Sequence, residues 1–268
     1  MVGAVHSRWS GVACPVIGMI HLSALPGAPR YAGSPQSIEA AALADAEALV
    51  EGGVDGLMIE NFGDVPFMPA RVEAVTVSHM TAIAAAVRGQ WSKVPLGINV
   101  LRNDGRSALA IAHAIGAQFI RVNVLCGARL ADQGILNGIA HDLMRDRAAL
   151  GAGSIDVWAD VQVKHSVALG PCPIEHEVAD VKGRGLADAI IVSGAATGSE
   201  TDPDHLDAVR RVAGDVPVLV GSGVTVQTVA SLAGHCDGVI VGTAVKRDGV
   251  AANPVDVSRV RDLLKQVR

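Results

Sequence analysis

The sequence predicts a single (β/α)8 TIM barrel, an α/β fold with parallel strands. Eight short apolar runs alternate with eight helical stretches, a pattern typical of parallel strands joined by helices. The length of 268 residues suits one such barrel, which takes about 250 residues. Two late strands also end in glycine-hydroxyl turns. We expect one domain over residues 1–268, with residues 1–13 as a loose N-terminal arm.

The predicted strands are rich in Val, Ile and Leu, which suit strands that are covered by helices on one face and packed into a barrel on the other. They cover 16–21, 56–61, 96–101, 119–125, 156–164, 189–194, 218–221 and 239–243. The helical stretches cover 37–51, 72–88, 106–115, 136–150, 175–184, 204–212, 226–232 and 255–267.

Composition excludes several classes of protein. The net charge is −5 and no cluster of Lys and Arg is visible, which argues against nucleic acid as a partner. The four cysteines form no C-x-x-C pair, so we expect reduced thiols in a cytoplasmic protein. No apolar stretch is long enough for a transmembrane helix. Peripheral membrane contact stays open, and we expect a homo-oligomer.

Glycine-hydroxyl turns end the last predicted strands, where barrels commonly bind phosphate. Residues 216–225 read VPVLVGSGVT, 237–246 read DGVIVGTAVK, and the sixth strand ends in a similar turn. Glycine lets backbone N–H groups approach an anion, and a helix beginning near Thr225 would point its N-terminus at it. Turn formation alone would also explain these residues. The predicted phosphate ligands are Ser193, Gly194, Thr197, Gly198, Gly221, Ser222, Gly223, Gly242 and Thr243.

Polar residues are predicted inside the barrel, where branched apolar side chains are usual. Alternation gives the fifth strand one apolar face, so Asp160, Gln162 and Lys164 should point inward. The same argument places Arg121 and Asn123 of the fourth strand inside.

Glu60 on the second strand and Asn99 on the third belong to the same inward set. Because an unpaired buried charge is costly, these groups should pair with each other, reach the mouth, or hold a ligand. Asn99 and Asn123 are therefore further candidates for ligand binding.

Lys164 is the most reactive candidate. Desolvation beside Arg121 would lower its pKa and make it a Schiff-base nucleophile or a general base. Pairing with Asp160 or Glu60 would instead keep it charged as an electrostatic clamp. His165 follows it and would point the other way. It is a candidate proton carrier at the start of a loop, or else an exposed loop histidine.

His21 ends the first strand and is a candidate general acid or base, or else a structural histidine. A metal site built from Glu60, Asp160 and a histidine is disfavoured because no H-x-x-x-H or D-x-D spacing supports it. We therefore expect neither a metal nor a cofactor. The long loops 23–35, 61–69 and 165–173 are candidate lids over this face.

Eight sequence segments carry a resemblance to a known family: VIGMIHLSALPGAP (16–29), GGVDGLMIENFGDVPF (52–67), PLGINVLRND (95–104), FIRVNV (119–124), ADVQVKHS (159–166), AIIVSGAATG (189–198), VLVGSGVT (218–225) and VGTAVK (241–246). With them the chain resembles the BtpA/SgcQ family, from Cys14 to the last helix. The resemblance implies a barrel of the phosphate-binding type. The family takes its name from a cyanobacterial protein linked to photosystem I, peripheral to thylakoid membranes.

Three functional hypotheses follow. The first is a cofactor-independent isomerase or lyase that acts on a phosphorylated sugar or a nucleotide-like metabolite. The second is a non-catalytic assembly or stability factor that retains a ligand pocket, which a large exposed apolar patch would favour. The third is a flavin-binding barrel that uses the same phosphate turns. Schiff-base aldolase chemistry would depend on Lys164, because Gly194 occupies the end of the sixth strand.

Overall fold

A computed structural model of the chain describes residues 8–193 and 203–268. Eight parallel strands close into a barrel in the order β1-β11-β10-β9-β7-β4-β3-β2, which confirms the predicted fold class. These strands are β1 Val16–His21, β2 Gly56–Glu60, β3 Leu96–Asn99, β4 Phe119–Val122, β7 Asp156–Val161, β9 Ala189–Val192, β10 Val218–Val220 and β11 Val239–Val241.

Helices surround the barrel, and several begin at a side-chain cap. Ser34 and Ser37 form a reciprocal capping box at the first helix, and the Asp104 carboxylate accepts from the Ser107 amide at another. The helices are α1 Pro35–Gly52, α2 Ala74–Gln90, α3 Gly105–Ile115, α4 Ala140–Ala149, α5 Ile174–Gly183, α6 Pro203–Ala213, α7 Val229–Ala233 and α8 Val257–Leu264.

Two apolar layers hold the barrel together. One lies between the strands and the helices, and the other fills the lower part of the barrel interior. In the interior layer the rings of Phe119 and Trp158 stack with their centroids 3.8 Å apart. Trp9 lies against both rings, at 6.3 and 6.0 Å, and its Nε1 donates to the Asp55 carbonyl oxygen at 2.7 Å.

The last residues of the N-terminal arm are therefore packed against the barrel. Trp9 is 7% exposed, and Arg8 pairs with Asp156 at 2.9 Å. The expectation of a loose arm over residues 1–13 does not hold at residues 8 and 9, because an indole in the barrel floor buries a large apolar surface. Residues 1–7 lie outside the described residues.

A three-stranded antiparallel sheet, which the sequence analysis did not predict, lies beyond the barrel strands. It contains β5 Ala128–Ala131, β6 Gly134–Asn137 and β8 Ser166–Ala168, in the order β6-β5-β8. The helix predicted over 136–150 is shorter than expected, because residues 134–137 pair with β5 and α4 begins only at Ala140. Residues 132 and 133 form the turn between the two strands, and Gly134, with φ of 95°, begins β6 directly after it.

The first two candidate lids are tied to each other. The Asp64 carboxylate accepts from the Leu25 amide at 2.8 Å and from Asn61 Nδ2 at 3.1 Å. Asn61 Oδ1 also accepts from the Leu101 amide at 2.7 Å, which extends the link to the segment after β3. Hydrogen bonds therefore connect the loops that follow β1, β2 and β3.

Candidate functional site

A two-lobed cavity opens at the carboxyl ends of the barrel strands. The near lobe, about 260 Å³, is lined by the turns after β10 and β11 together with Met19, His21 and Ile240. The far lobe, about 390 Å³, lies towards the segments after β2, β3 and β7. Four residues line both lobes: Glu60, Phe62, Arg121 and Lys164. This is the face on which barrel enzymes build their active sites.

Residues that line the near lobe carry unpaired backbone donors. Within the described part of the chain, the backbone amides of five lining residues have no hydrogen-bond acceptor: Gly223, Val224, Gly242, Thr243 and Ala244. Clustered backbone N–H groups form a concave site for an anion. Gly221 contributes differently, because its N–H donates to the Val192 carbonyl at 2.8 Å and continues the strand ladder.

The helix predicted at 226–232 begins later and is shorter. Helix α7 spans Val229–Ala233, and the amide of Thr225 donates to Thr228 Oγ1 at 2.9 Å. The assigned helix therefore begins four residues later than expected. Thr225 and Thr228 exchange reciprocal hydrogen bonds between side chain and backbone, and the Val229 amide donates to the Thr225 carbonyl at 2.9 Å, so one hydrogen-bonded turn starting at Thr225 precedes the helix. An N-terminus that points at an anion stays a prediction.

Gly242 brings the backbone of the last turn close to the first strand. A Cβ atom at this position would lie 2.9 Å from His21 Cε1 and 3.2 Å from His21 Nε2. Only glycine leaves room for both the backbone and the imidazole. His21 therefore lies directly beside the unpaired donors of the near lobe.

An ion pair lies inside the barrel below the cavity. Arg121 Nε and Nη2 donate to the Asp160 carboxylate at 2.9 and 2.7 Å. Asp160 also accepts from Asn123 Nδ2 at 2.8 Å and from Ser193 Oγ at 2.9 Å. Burial alone would lower the pKa of Arg121, but the attraction of Asp160 and its hydrogen bonds raise it.

This network shows how the predicted inward residues are used. Asp160 is 2% exposed, and both of its oxygens accept hydrogen bonds. Ser193, predicted as a phosphate ligand, donates to Asp160 instead. Arg121 remains part of the cavity wall, so Asp160 acts on the cavity through the position of Arg121.

Glu60 is held by one oxygen. Asn99 Nδ2 donates to Glu60 Oε2 at 2.5 Å, while Glu60 Oε1 lies 3.8 Å from His21 Nε2. His21 Nδ1 lies 3.3 Å from the Ala251 carbonyl, and its ring stacks on Phe62 with centroids 4.5 Å apart. A carbonyl can only accept, so Nδ1 carries the proton in this contact and neutral His21 presents a lone pair at Nε2.

Burial lowers the pKa of His21, and Lys246 and Lys164 lower it further, while Glu60 and the Ala251 contact oppose the shift. The neutral imidazole is therefore favoured at neutral pH. Two basic atoms, Glu60 Oε1 and His21 Nε2, consequently face the cavity from neighbouring strands.

Lys164 reaches the cavity from a loop. Strand β7 ends at Val161, and Gln162 and His165 adopt positive φ values of 48° and 58°. The expected continuation of the strand to Lys164 is therefore wrong, as is the opposite orientation expected for His165, since both residues line the far lobe. Gln162 is likewise not an inward strand residue.

Burial, followed by the nearby Arg121, lowers the pKa of Lys164, while Glu60 and Asp160 oppose the shift. Among the described residues its Nζ has no hydrogen-bond or ion-pair partner. A lysine with these properties can act as a base, a nucleophile or a ligand for an anion. Burial also lowers the pKa of His165.

Two residues of the cavity wall were missed by the sequence analysis. Phe62 lies under His21, and Arg102 is 4% exposed with its Nη2 donating to the Lys164 carbonyl at 2.5 Å. A charged residue just beyond the end of β3 was the available signal for Arg102. Three of the predicted phosphate ligands lie outside the described residues: Gly194, Thr197 and Gly198.

Residues 8–193 and 203–268 lack two features. No group of three or more His, Cys, Asp or Glu side chains there is arranged to hold a metal ion. No helix in these residues is both long enough and apolar enough to cross a membrane.

Comparison with known proteins identifies the family. A profile described as the BtpA family matches residues 12–268. The chain belongs to the BtpA family. It is 44% identical over 246 residues to a photosystem I biogenesis protein BtpA of Synechocystis, a match that covers 92% of this chain and 85% of the relative. It is 48% identical over 251 residues to an uncharacterized protein of Thermococcus kodakarensis, a match that covers 94% of each.

Solved structures resemble this BtpA-family chain in fold alone. An N-(5'-phosphoribosyl)anthranilate isomerase from Pyrococcus furiosus superposes with a TM-score of 0.58 at 14% identity, covering 95% of this chain and 98% of the other. A KDPGal structure superposes with a TM-score of 0.56 at 17% identity, covering 94% and 93%. Both likenesses support the TIM-barrel architecture of this BtpA-family member.

Proposed function

We propose that this BtpA-family protein is an enzyme that acts on a phosphorylated sugar or a related phosphorylated metabolite, by isomerisation or a lyase step. One observation carries the proposal: the unpaired backbone donors of the near lobe lie in the same cavity as Lys164, Glu60 and His21. The phosphate would bind at the donors, and the sugar carbons would then extend across the mouth towards the three titratable groups.

The chemistry is a proton transfer next to a carbonyl group. Glu60 Oε1 or His21 Nε2 would take the proton, because neither atom makes a hydrogen bond in the described part of the chain. Lys164 would stabilise the oxygen on which negative charge develops. A Schiff base to Lys164 is the alternative route, favoured by its lowered pKa.

The fold neighbours are consistent with this class of substrate. One is an isomerase of a phosphoribosyl compound, although its 14% identity carries no residue role to this chain. The Arg121–Asp160 pair would hold the base of the cavity in a fixed position. A homo-oligomer, peripheral membrane contact and a cytoplasmic location stay predictions from the sequence.

Thermal shift with phosphorylated ligands tests the proposal. Inorganic phosphate and sugar phosphates should raise the melting temperature. A ligand present at 100 times its Kd adds about 2.7 kcal/mol to the free energy of unfolding. Gly242→Ala should remove the shift, because the new Cβ would meet His21 at 2.9 Å. Gly153→Ala is the matched control, since a Cβ there meets nothing within 4 Å. Absence of any shift in the unmodified protein would overturn the proposal.

A second function, assembly of a larger complex, is favoured by an exposed apolar row on the antiparallel sheet. Leu130 pairs with Ile135 on one side and Val167 on the other, and the three are 47%, 54% and 60% exposed. The family relative named for photosystem I biogenesis supports this alternative.

Complementation of a Synechocystis strain that lacks its own BtpA can separate the two functions. An assembly role predicts that Leu130→Glu abolishes recovery of photosystem I content while Gly242→Ala preserves it. An enzymatic role predicts the reverse, because Gly242 lines the cavity and Leu130 lies outside both lobes.

A further inference from the structure

The far lobe contains a buried cation without a counterion. Arg102 is 4% exposed, and the only hydrogen bond of its guanidinium among the described residues runs from Nη2 to the Lys164 carbonyl. Its Nε is buried without an acceptor, and no carboxylate of the described residues lies within ion-pair distance of the guanidinium. Leaving a guanidinium buried and unpaired is unfavourable, so an anion supplied from outside would be bound strongly.

Its surroundings distinguish Arg102 from Arg121. Arg121 is neutralised by the two-point contact with Asp160, whereas Asp160, Glu60 and Asp132 act on Arg102 only over a distance. Burial is the largest influence on Arg102 and lowers its pKa, because the charged form lacks a close partner. Of the two arginines in the far lobe, Arg102 is the one available to a ligand.

An unused acceptor lies in the same lobe. Asn123 Nδ2 donates to Asp160, which leaves the buried Asn123 Oδ1 without a donor in the described part of the chain. A ligand hydroxyl would satisfy it. Lys164 lines both lobes, so a molecule extending from the glycine turns to Arg102 would pass its ammonium group.

We infer that the ligand carries two anionic groups: a phosphate at the near-lobe turns and a second anion, carboxylate or phosphate, at Arg102, with a hydroxyl-bearing carbon chain between them. The inference rests on the proposed function, because it takes the phosphate of the near lobe as the first anchor. It narrows the substrate class to phosphorylated sugar acids and sugar bisphosphates.

Three probes with the same six carbons test it by calorimetry: glucose 6-phosphate, 6-phosphogluconate and glucose 1,6-bisphosphate. At least one doubly anionic probe should bind about tenfold or more tightly than glucose 6-phosphate, as a charge-assisted hydrogen bond to a buried group predicts. Preference for the gluconate identifies a carboxylate as the second anion, and preference for the bisphosphate identifies a phosphate.

Arg102→Gln should abolish the preference for a doubly anionic probe while leaving glucose 6-phosphate binding unchanged. Arg102→Lys should keep part of that preference. If inorganic phosphate still raises the melting temperature of Arg102→Gln, the near lobe is intact and the variant is folded. If glucose 6-phosphate binds as well as both doubly anionic probes, or if Arg102→Gln keeps the preference, the second anion site is overturned while the phosphate proposal stands. If no phosphorylated probe binds, the proposed function fails and the inference fails with it.

Discussion

Arg121 and Asp160 face each other inside the barrel and form a two-point ion pair, with contacts of 2.9 and 2.7 Å. Both side chains are almost fully buried, at 4% and 0% exposure. Barrel interiors are usually filled with branched apolar residues, so this pair occupies a layer that would otherwise be hydrophobic. The pair separates the open cavity from the aromatic floor, the layer formed by Trp9, Phe119 and Trp158.

Asp160→Asn should destabilise the fold by about 3–5 kcal/mol, because it leaves Arg121 buried without its carboxylate. The double variant Arg121→Met with Asp160→Leu should lose less stability than the sum of the losses for Arg121→Met and Asp160→Leu alone, because it removes both charges together. Urea denaturation measures each value. Glu51→Gln, which breaks an exposed pair with Arg261, is the control and should cost less than about 1 kcal/mol. Equal losses for Asp160→Asn and the control would contradict a structural role.

Lys164 should be labelled by reductive methylation at lower pH than exposed lysines, because burial and Arg121 lower its pKa and leave a larger neutral fraction. Mass spectrometry of the digested protein gives the labelled fraction at each site, with the exposed Lys93 as internal reference. A saturating phosphorylated ligand should protect Lys164 and leave Lys93 unaffected. Labelling of Lys164 only at the pH required for Lys93 would refute the lowered pKa.

His21 should make the free energy of unfolding depend on pH. Its folded pKa lies below the unfolded value of 6.5, so the unfolded chain takes up the proton first. The contribution is fully present above about pH 6.5 and is lost as the pH falls towards the folded pKa, with a slope of up to about 1.4 kcal/mol per pH unit. Glu60, Lys246 and Lys164 are the charged groups that act on the ring: Glu60 raises its pKa and the two lysines lower it.

Denaturation curves at pH 7, 6 and 5 for the unmodified protein and His21→Asn measure this effect. The variant should show a flatter pH dependence, whereas His113→Asn, on the exposed face of α3, should leave the dependence as it was. Parallel pH curves for the unmodified protein and His21→Asn would show that the ring titrates alike in both states.

The barrel was predictable from the sequence because its strands are short apolar runs in a regular strand-helix order. Alternation also placed the Arg121, Asp160 and Glu60 side chains inside, where the structure finds them hydrogen-bonded. Side-chain alternation predicts orientation only where the chain keeps regular strand structure. The left-handed backbone at Gln162 ends β7 early, and alternation has no meaning for residues beyond it.

The rest of the site depends on contacts between distant segments. Arg102 lies beyond β3 and reaches the carbonyl of Lys164, a contact that links residues 62 positions apart. The end of β6, residues 136 and 137, was predicted as the start of a helix because Leu136 and Asn137 suit either structure locally. Pairing with β5 decides the outcome, and a single sequence gives little indication of such pairing.

The aromatic floor determines which events tryptophan fluorescence can detect in this protein. Two of its three tryptophans, Trp9 and Trp158, lie in that floor beside Phe119, and neither lines the near or the far lobe. Intrinsic fluorescence will therefore follow the closing of the barrel around its N-terminal segment and respond little to occupancy of the mouth. Refolding can be timed by that signal, whereas ligand titrations call for heat or an extrinsic dye.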